Sequence, residues 1–297
     1  MHMYLCLVIL LKTNKLLCLG ACLVLTSTLI VGQDTLWINA STWTPQATSM
    51  PVLRLNDAPE FNIKNAPVFR SANQESSVVI VNTDSVEHDF AVWAEDPMGI
   101  SSIGAQDTLD INLPAVAAGT YGCGLIDVKG RWLGAQSLFA SESITDTLPT
   151  FLWNLAEWDV NRMNAIAENG DPADFENYIP QYFTINEAMH PATLEDSTAW
   201  VTLPVNTSAL IRIHNAGAMD HVLHFHGFHV SILSSTHHPE RVGWSKDTQP
   251  LEVNEGMTLL LHADQAGTYP VHDHNLIAVT NAGLYPGGML TQIQVDP

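Results

Sequence analysis

Residues 118–121 read Ala-Gly-Thr-Tyr, and residues 266–269 repeat the same four residues. Each copy follows a second shared pattern, an asparagine with a histidine six residues after it. These pairs are Asn82 with His88 in the first half and Asn215 with His221 in the second. Landmarks that recur in the same order indicate two copies of one folding unit. The sequence therefore predicts a repeated domain.

The chain around these landmarks has the pattern of β-structure. Short apolar or β-branched runs alternate with turns rich in Gly, Pro, Asn and Asp. Representative runs are Ser77–Asn82, Ala209–His214, Met257–Leu261 and Met289–Val295. Helical periodicity is weak and centres on Asn154–Glu168. This pattern indicates an all-β fold, either a sandwich or a barrel. Together with the repeat, it leads us to expect two Greek-key β-sandwich domains.

The repeat also sets the expected domain boundaries. We expect a signal peptide over residues 1–33, a first domain over 34–145 and a second domain over 181–297. Residues 146–180 form the expected linker, which packs back on the two domains.

The N-terminal residues have the character of an export signal. Lys12 and Lys15 precede an apolar run from Leu16 to Val31, and a polar exit follows. Two alternatives are an uncleaved membrane anchor and lipidation at Cys22. No later segment is apolar enough to span a bilayer, so the mature chain is expected to have no membrane span. The expected location is secreted or periplasmic.

The cysteine count and the net charge limit the kinds of metal site and binding partner that the chain can have. Three of the four cysteines lie in the predicted signal, so only Cys123 remains in the mature chain. One cysteine excludes an internal disulfide and any thiolate-rich metal site. The formal net charge of −20 disfavours nucleic acid as a partner, because a surface this acidic repels phosphate.

Most of the histidines fall in the second half, and two pairs carry the strongest signal. These are His224 with His226 and His272 with His274. In a strand, residues i and i+2 share a face about 6.5–7 Å apart, so two such strands side by side make a platform of four imidazoles. Imidazole suits copper, zinc, iron and nickel. We predict a metal site there, with His229 as a further candidate ligand.

Strand parity separates two other residues from this platform. His221 and Asp273 lie on the opposite strand faces from the four histidines, so we expect them to point into the sandwich.

Residues 221–227 (HVLHFHG) resemble the H-P-x-H-x-H-G motif of multicopper oxidases. Further family landmarks follow in the family's order: Lys246-Asp247-Thr248, the Gly256 turn, the second Ala-Gly-Thr-Tyr, His272-Asp273-His274 and Gly288-Met289. The resemblance covers residues 150–297 well and residues 75–140 only by fold. It implies two cupredoxin-like domains. The two-domain length is similar to that of small laccases and copper nitrite reductases, whose homotrimers hold metal sites between subunits.

The resemblance also implies a cofactor and roles for particular residues. It implies one or two copper ions, with the four platform histidines as ligands of the type 2/type 3 kind. His221 would be a type 1 copper ligand and Met289 its axial neighbour.

The chain departs from the family where a blue copper site needs its ligands. Asp273 stands in the place of the type 1 cysteine, and no histidine follows His274. A blue site rests on the thiolate, so it cannot form in this domain. The first domain offers no replacement, because its corresponding positions are Ala91, Trp93, Gly124 and Ile126.

These departures leave the function open between two main hypotheses. One is a copper-dependent oxidoreductase that works at the histidine site without type 1 copper and takes electrons from an external donor. The alternative is a non-enzymatic protein for copper binding, storage or delivery. A structural module with a relict site is a third reading, which the four retained histidines disfavour.

A further prediction concerns the pocket that, by this resemblance, would have held the type 1 copper. A lone buried carboxylate is costly, so Asp273 needs a partner, and His221 is the obvious one. We expect the two side chains to contact each other and to replace the metal structurally. The rival reading is a hard ion bound by both residues.

Overall fold

The computed structural model describes residues 35–143, 146–170 and 178–297. The predicted signal peptide and its three cysteines lie outside these residues. Among the described residues, no helix is long and apolar enough to cross a membrane.

The first half of the described chain forms nine strands and one short helix. They are β1 (Thr35–Trp43), β2 (Met50–Asn56), β3 (Val68–Ser71), β4 (Ser76–Asn82), β5 (His88–Trp93), β6 (Pro97–Ile103), β7 (Thr108–Leu113), β8 (Gly119–Leu125), α1 (Val128–Trp132) and β9 (Gln136–Glu142).

The second half of the described chain adds eleven strands and one longer helix. They are β10 (Thr150–Trp158), α2 (Val160–Asn169), β11 (Tyr182–Ile185), β12 (Val201–Pro204), β13 (Thr207–Asn215), β14 (His221–Phe225), β15 (Val230–Ser235), β16 (Ser245–Lys246), β17 (Thr248–Leu251), β18 (Gly256–Ala263), β19 (Gly267–Asp273) and β20 (Leu290–Asp296).

The strands form four sheets, and each pair of sheets encloses a hydrophobic core. The first sandwich has the strand orders β2-β1-β4-β7 and β3-β9-β8-β5-β6. The second has β11-β10-β13-β18-β15-β16 and β12-β20-β19-β14-β17. Phe90 and Phe139 lie in the first core, whereas Trp153, Phe225 and Leu259 lie in the second. The predicted all-β fold of two cupredoxin-like sandwiches is confirmed.

The internal repeat is visible in the pairing of the strands. Val81 pairs with Thr108 between β4 and β7, just as His214 pairs with Gly256 between β13 and β18. On the facing sheets, Ala91 pairs with Gly124 between β5 and β8. His224 pairs with His272 at the equivalent place between β14 and β19. His224 and His272 of the second sandwich thus correspond to the small residues Ala91 and Gly124 in the first.

The segment between the repeats is more regular than the linker prediction implied. Residues 150–158 form β10, which pairs with β13 and β11 inside the second sandwich. Phe151, Trp153 and Leu155 alternate into the core, and this period of two is that of a strand. The helix starts only after Asp159, whose side chain accepts hydrogen bonds from the amides of Asn161 and Arg162. The helical prediction from Asn154 therefore began too early.

The second sandwich covers one face of the first. Trp93 Nε1 donates to His214 Nε2 at 3.3 Å, and the hydroxyl groups of Thr120 and Thr258 lie 2.7 Å apart. A side chain at Gly122 would collide with Trp93 and His214, so the close approach requires glycine. The equivalent face of β14 and β19 carries the partly exposed platform histidines.

Candidate metal centre

The histidine platform consists of His224, His226, His272 and His274, on β14 and β19 and the residues that directly follow them. Ring centroids are 4.5 Å apart for His224 and His226 and 5.1 Å apart for His226 and His272. His224 lies 5.8 Å from both His272 and His274, which are 6.4 Å from each other. All four predicted ligands therefore share one patch.

Hydrogen bonds at Nδ1 hold two of the platform rings in place. His272 Nδ1 donates to the carbonyl oxygen of Asp273 at 2.8 Å, so its Nε2 keeps a lone pair. His224 Nδ1 lies 3.0 Å from Thr248 Oγ1. Such outer contacts orient the imidazoles that bind metals. Sequence reasoning quoted Thr248 as a family landmark but assigned it no role.

In one pair of platform rings, the two Nε2 atoms face each other. His226 Nε2 and His272 Nε2 lie 3.0 Å apart and share one hydrogen bond. Partial burial and the neighbouring His224 and His272 lower the pKa of His226. That shift favours the neutral ring, which is the form that binds metals.

The platform is not a finished coordination sphere. In residues 35–143, 146–170 and 178–297, no three His, Cys, Asp or Glu side chains are already arranged around one ion position. An ion would need small ring rotations, or further ligands from outside the described chain. His229 is exposed, and within the described residues no hydrogen bond or ring contact joins it to the four histidines.

His221 and Asp273 make the contact that strand parity predicted. His221 Nδ1 donates to Asp273 Oδ2 at 2.5 Å, and both side chains are buried. His221 Nε2 donates to Glu157 Oε2 at 3.1 Å. The two carboxylates thus sit at opposite edges of one imidazole, and each ring nitrogen has a carboxylate partner. Met289 lies in the core, and its carbonyl oxygen accepts from the amide of Asp273 at 3.1 Å.

The charge of His221 follows from these partners. Burial by itself lowers the pKa of His221, but the hydrogen bonds and charges of Asp273 and Glu157 outweigh it and raise the pKa to about 9. The ring is therefore an imidazolium at neutral pH and donates to both carboxylates. This arrangement satisfies Asp273 without a metal.

Glu157 is a site residue that sequence reasoning missed. It lies on β10, in the segment expected to be a linker, far along the chain from His221. A single acidic residue within the apolar run Phe151–Trp158 was the available signal, because strand interiors rarely bury an unpaired carboxylate.

The first sandwich has no comparable cluster at its corresponding positions. Ala91, Trp93 and Gly124 stand there, and all three are buried. Cys123 is a free, buried thiol, and burial raises its pKa to about 12. A thiol held protonated in this way is a poor metal ligand.

Two comparisons place the chain among known proteins. The sequence profile of the multicopper oxidase family matches residues 159–292. No curated protein matches the chain.

Solved structures share the fold at low sequence identity. A blue copper oxidase from Nitrosomonas europaea has a TM-score of 0.72 at 20% identity, over 88% of this chain and 85% of its own. The multicopper oxidase mgLAC has a TM-score of 0.71 at 18% identity, with the same coverage of 88% and 85%. A copper nitrite reductase from Nitrosomonas europaea has a TM-score of 0.66 at 14% identity, over 88% of this chain and 93% of its own.

Proposed function

We propose that this chain, which carries a multicopper oxidase domain on two cupredoxin-like sandwiches, binds one or two copper ions on its histidine platform. In this proposal, His224, His226, His272 and His274 are the ligands. The type 1 pocket takes no copper. The predicted export signal further suggests a secreted or periplasmic protein.

The observation that carries this proposal is the convergence of the four imidazoles. Two nitrogens on neighbouring strands lie 3.0 Å apart, and the Nδ1 atoms of His272 and His224 are already engaged by oxygen atoms. Imidazole nitrogens are a donor set that suits copper.

Copper bound there would supply a one-electron redox centre. The surrounding residues would position its ligands. Thr248 and the carbonyl of Asp273 hold two rings in place. The buried His221–Asp273 pair stands where a type 1 site would lie, so no blue copper would deliver electrons. An enzyme of this kind would need an external electron donor.

A non-enzymatic role in copper storage or delivery is the second candidate, and the missing electron relay favours it. Oxygen consumption by the copper-loaded protein with excess ascorbate distinguishes the two. Steady turnover above the rate of free copper supports an oxidoreductase. One reduction per bound ion, without turnover, supports storage or delivery.

The absorption and paramagnetic resonance spectra of the copper-loaded protein test the proposed ligand set. We expect no intense thiolate-to-copper band near about 600 nm, because the ligands are nitrogen and oxygen atoms. The paramagnetic resonance signal should show hyperfine coupling to imidazole nitrogen.

The Asp273→Cys variant is the control for this spectrum. It should also lack the blue band, since no histidine follows His274 to complete a type 1 site. An intense blue colour in the unmodified protein would require Cys123 as a ligand and would refute the assignment.

The open face of the platform supports a homotrimer. In the first sandwich, domain two covers the corresponding face, where Trp93 meets His214. In the second sandwich, the loop after His274 exposes apolar residues, with Leu284 70% and Tyr285 74% exposed. Apolar side chains this exposed, in the loop that follows the platform, are typical of an interface.

Light scattering at micromolar concentration tests this assembly. We expect the mass of three chains, and we expect Leu284→Glu to shift it towards one chain by placing a charge in the interface. A monomer that holds its full copper would exclude the trimer.

A further inference from the structure

Each sandwich buries a histidine between two carboxylates. His221 donates to Asp273 at 2.5 Å and to Glu157 at 3.1 Å. In the first sandwich, His88 lies 3.0 Å from both Asp127 and Asp84.

We call each of these arrangements a bridge: one imidazole between two carboxylates. The carboxylates of the two bridges come from different places in the fold. His88 and His221 open the equivalent strands β5 and β14. Asp84 lies four residues before its histidine, whereas Glu157 comes from β10, a strand of the opposite sheet. The shared element is therefore a buried imidazole that needs two acceptors.

Glu157 is held firmly at its end of the bridge. Its Oε1 accepts hydrogen bonds from the amides of Ala218 at 2.5 Å and Met219 at 2.9 Å, and from Tyr178 Oη at 3.2 Å. A side chain at Gly217 would collide with Glu157. The Glu157 side chain is fully buried. Glu157 is thus a rigid anchor for His221.

The other end of the bridge reaches the platform. Asp273 lies between His272 and His274 in the chain, and its Oδ1 accepts from the amide of Asn275 at 2.7 Å. Its carbonyl oxygen accepts from His272 Nδ1 at 2.8 Å. If the Asp273 side chain changed its position, the Asp273 carbonyl group that orients His272 would therefore rotate.

We infer that Glu157 is a positioning residue for the histidine platform and acts through His221 and Asp273. It keeps the Nε2 lone pair of His272 directed at the place where an ion binds. The importance of this role for copper rests on the proposed function. The bridge in the first sandwich also holds an imidazole between two carboxylates, although Asp84 is paired with Lys129 as well, at 2.7 Å. It has no platform beside it, so it serves as a control.

The test compares Glu157→Gln with Asp84→Asn. Both substitutions keep the shape of the side chain and remove one carboxylate from a bridge. We expect Glu157→Gln to weaken Cu²⁺ binding about tenfold, the scale of losses when an outer contact to a ligand is removed. Asp84→Asn should lower the melting temperature but leave Cu²⁺ affinity within about twofold.

A second readout uses the metal-free protein, so that it does not depend on copper. Nitrogen-15 resonances of histidine side chains report the tautomer of His272. We expect Glu157→Gln to shift the His272 resonances away from the Nδ1-protonated form, and Asp84→Asn to leave them unchanged.

The outcomes separate this inference from the proposed function. If the unmodified protein binds no copper but Glu157→Gln still shifts the His272 resonances, the proposed function fails and the positioning role stands. If Glu157→Gln is folded, with unchanged His272 resonances and unchanged Cu²⁺ affinity, the positioning role is overturned. An equal effect of Asp84→Asn on the platform would overturn it as well.

Discussion

Replacing His272 and His274 by alanine together is expected to abolish copper binding. These residues supply two of the four imidazoles, and His272 is half of the pair whose nitrogens lie 3.0 Å apart. Their loss leaves His224 and His226 on one strand, and two rings alone hold an ion weakly. Metal analysis after dialysis against a weak chelator should find copper near the background level.

His237 and His238 provide the matched control for this experiment. His238 pairs with Glu240 and Glu252 at the surface, and His237 contacts Thr236. The His237→Ala/His238→Ala variant should keep its full copper content. Retention of full copper by the His272→Ala/His274→Ala variant would show that the platform is not the site.

His221→Ala is expected to cause a large loss of stability. The substitution leaves the buried carboxylates of Asp273 and Glu157 without their shared cation. Removing one partner of a buried charge pair costs about 4 kcal/mol of the free energy of unfolding. For a chain of this size that corresponds to a fall in melting temperature of roughly 10 °C. Calorimetry on the metal-free protein measures it.

The pH dependence of unfolding identifies the charge as the cause. The pKa of His221 is raised from its usual 6.5 to about 9, so the folded state binds the proton more tightly than the unfolded state does. The stabilisation is therefore fully present below about pH 6.5 and is lost as the pH rises through about 9. His221→Ala should flatten this part of the urea-unfolding profile.

His262→Ala is the control for both measurements. His262 is exposed on β18 and contacts Ser208. Its replacement should change the free energy of unfolding by less than about 0.5 kcal/mol. A similar small effect of His221→Ala would contradict the proposed role of the bridge.

Patterns in the amino-acid sequence predicted the fold and the convergence of the four platform histidines. Repeated landmarks and strand periodicity depend on local chain geometry, so they predicted two sandwiches with matching strands. The same period of two placed His224 and His226 on one face of β14 and His221 on the other. Parity also led to the contact between His221 and Asp273, because a buried carboxylate needs a partner wherever it lies.

The contacts that depend on distant strands are visible only in the folded chain. Glu157 reaches His221 because β10 crosses into the second sandwich, and no spacing in the chain encodes that approach. The same holds for Trp93 against His214, where one sandwich covers the other. The physical reason is that periodicity specifies which face a side chain occupies, whereas packing between sheets specifies what it meets there.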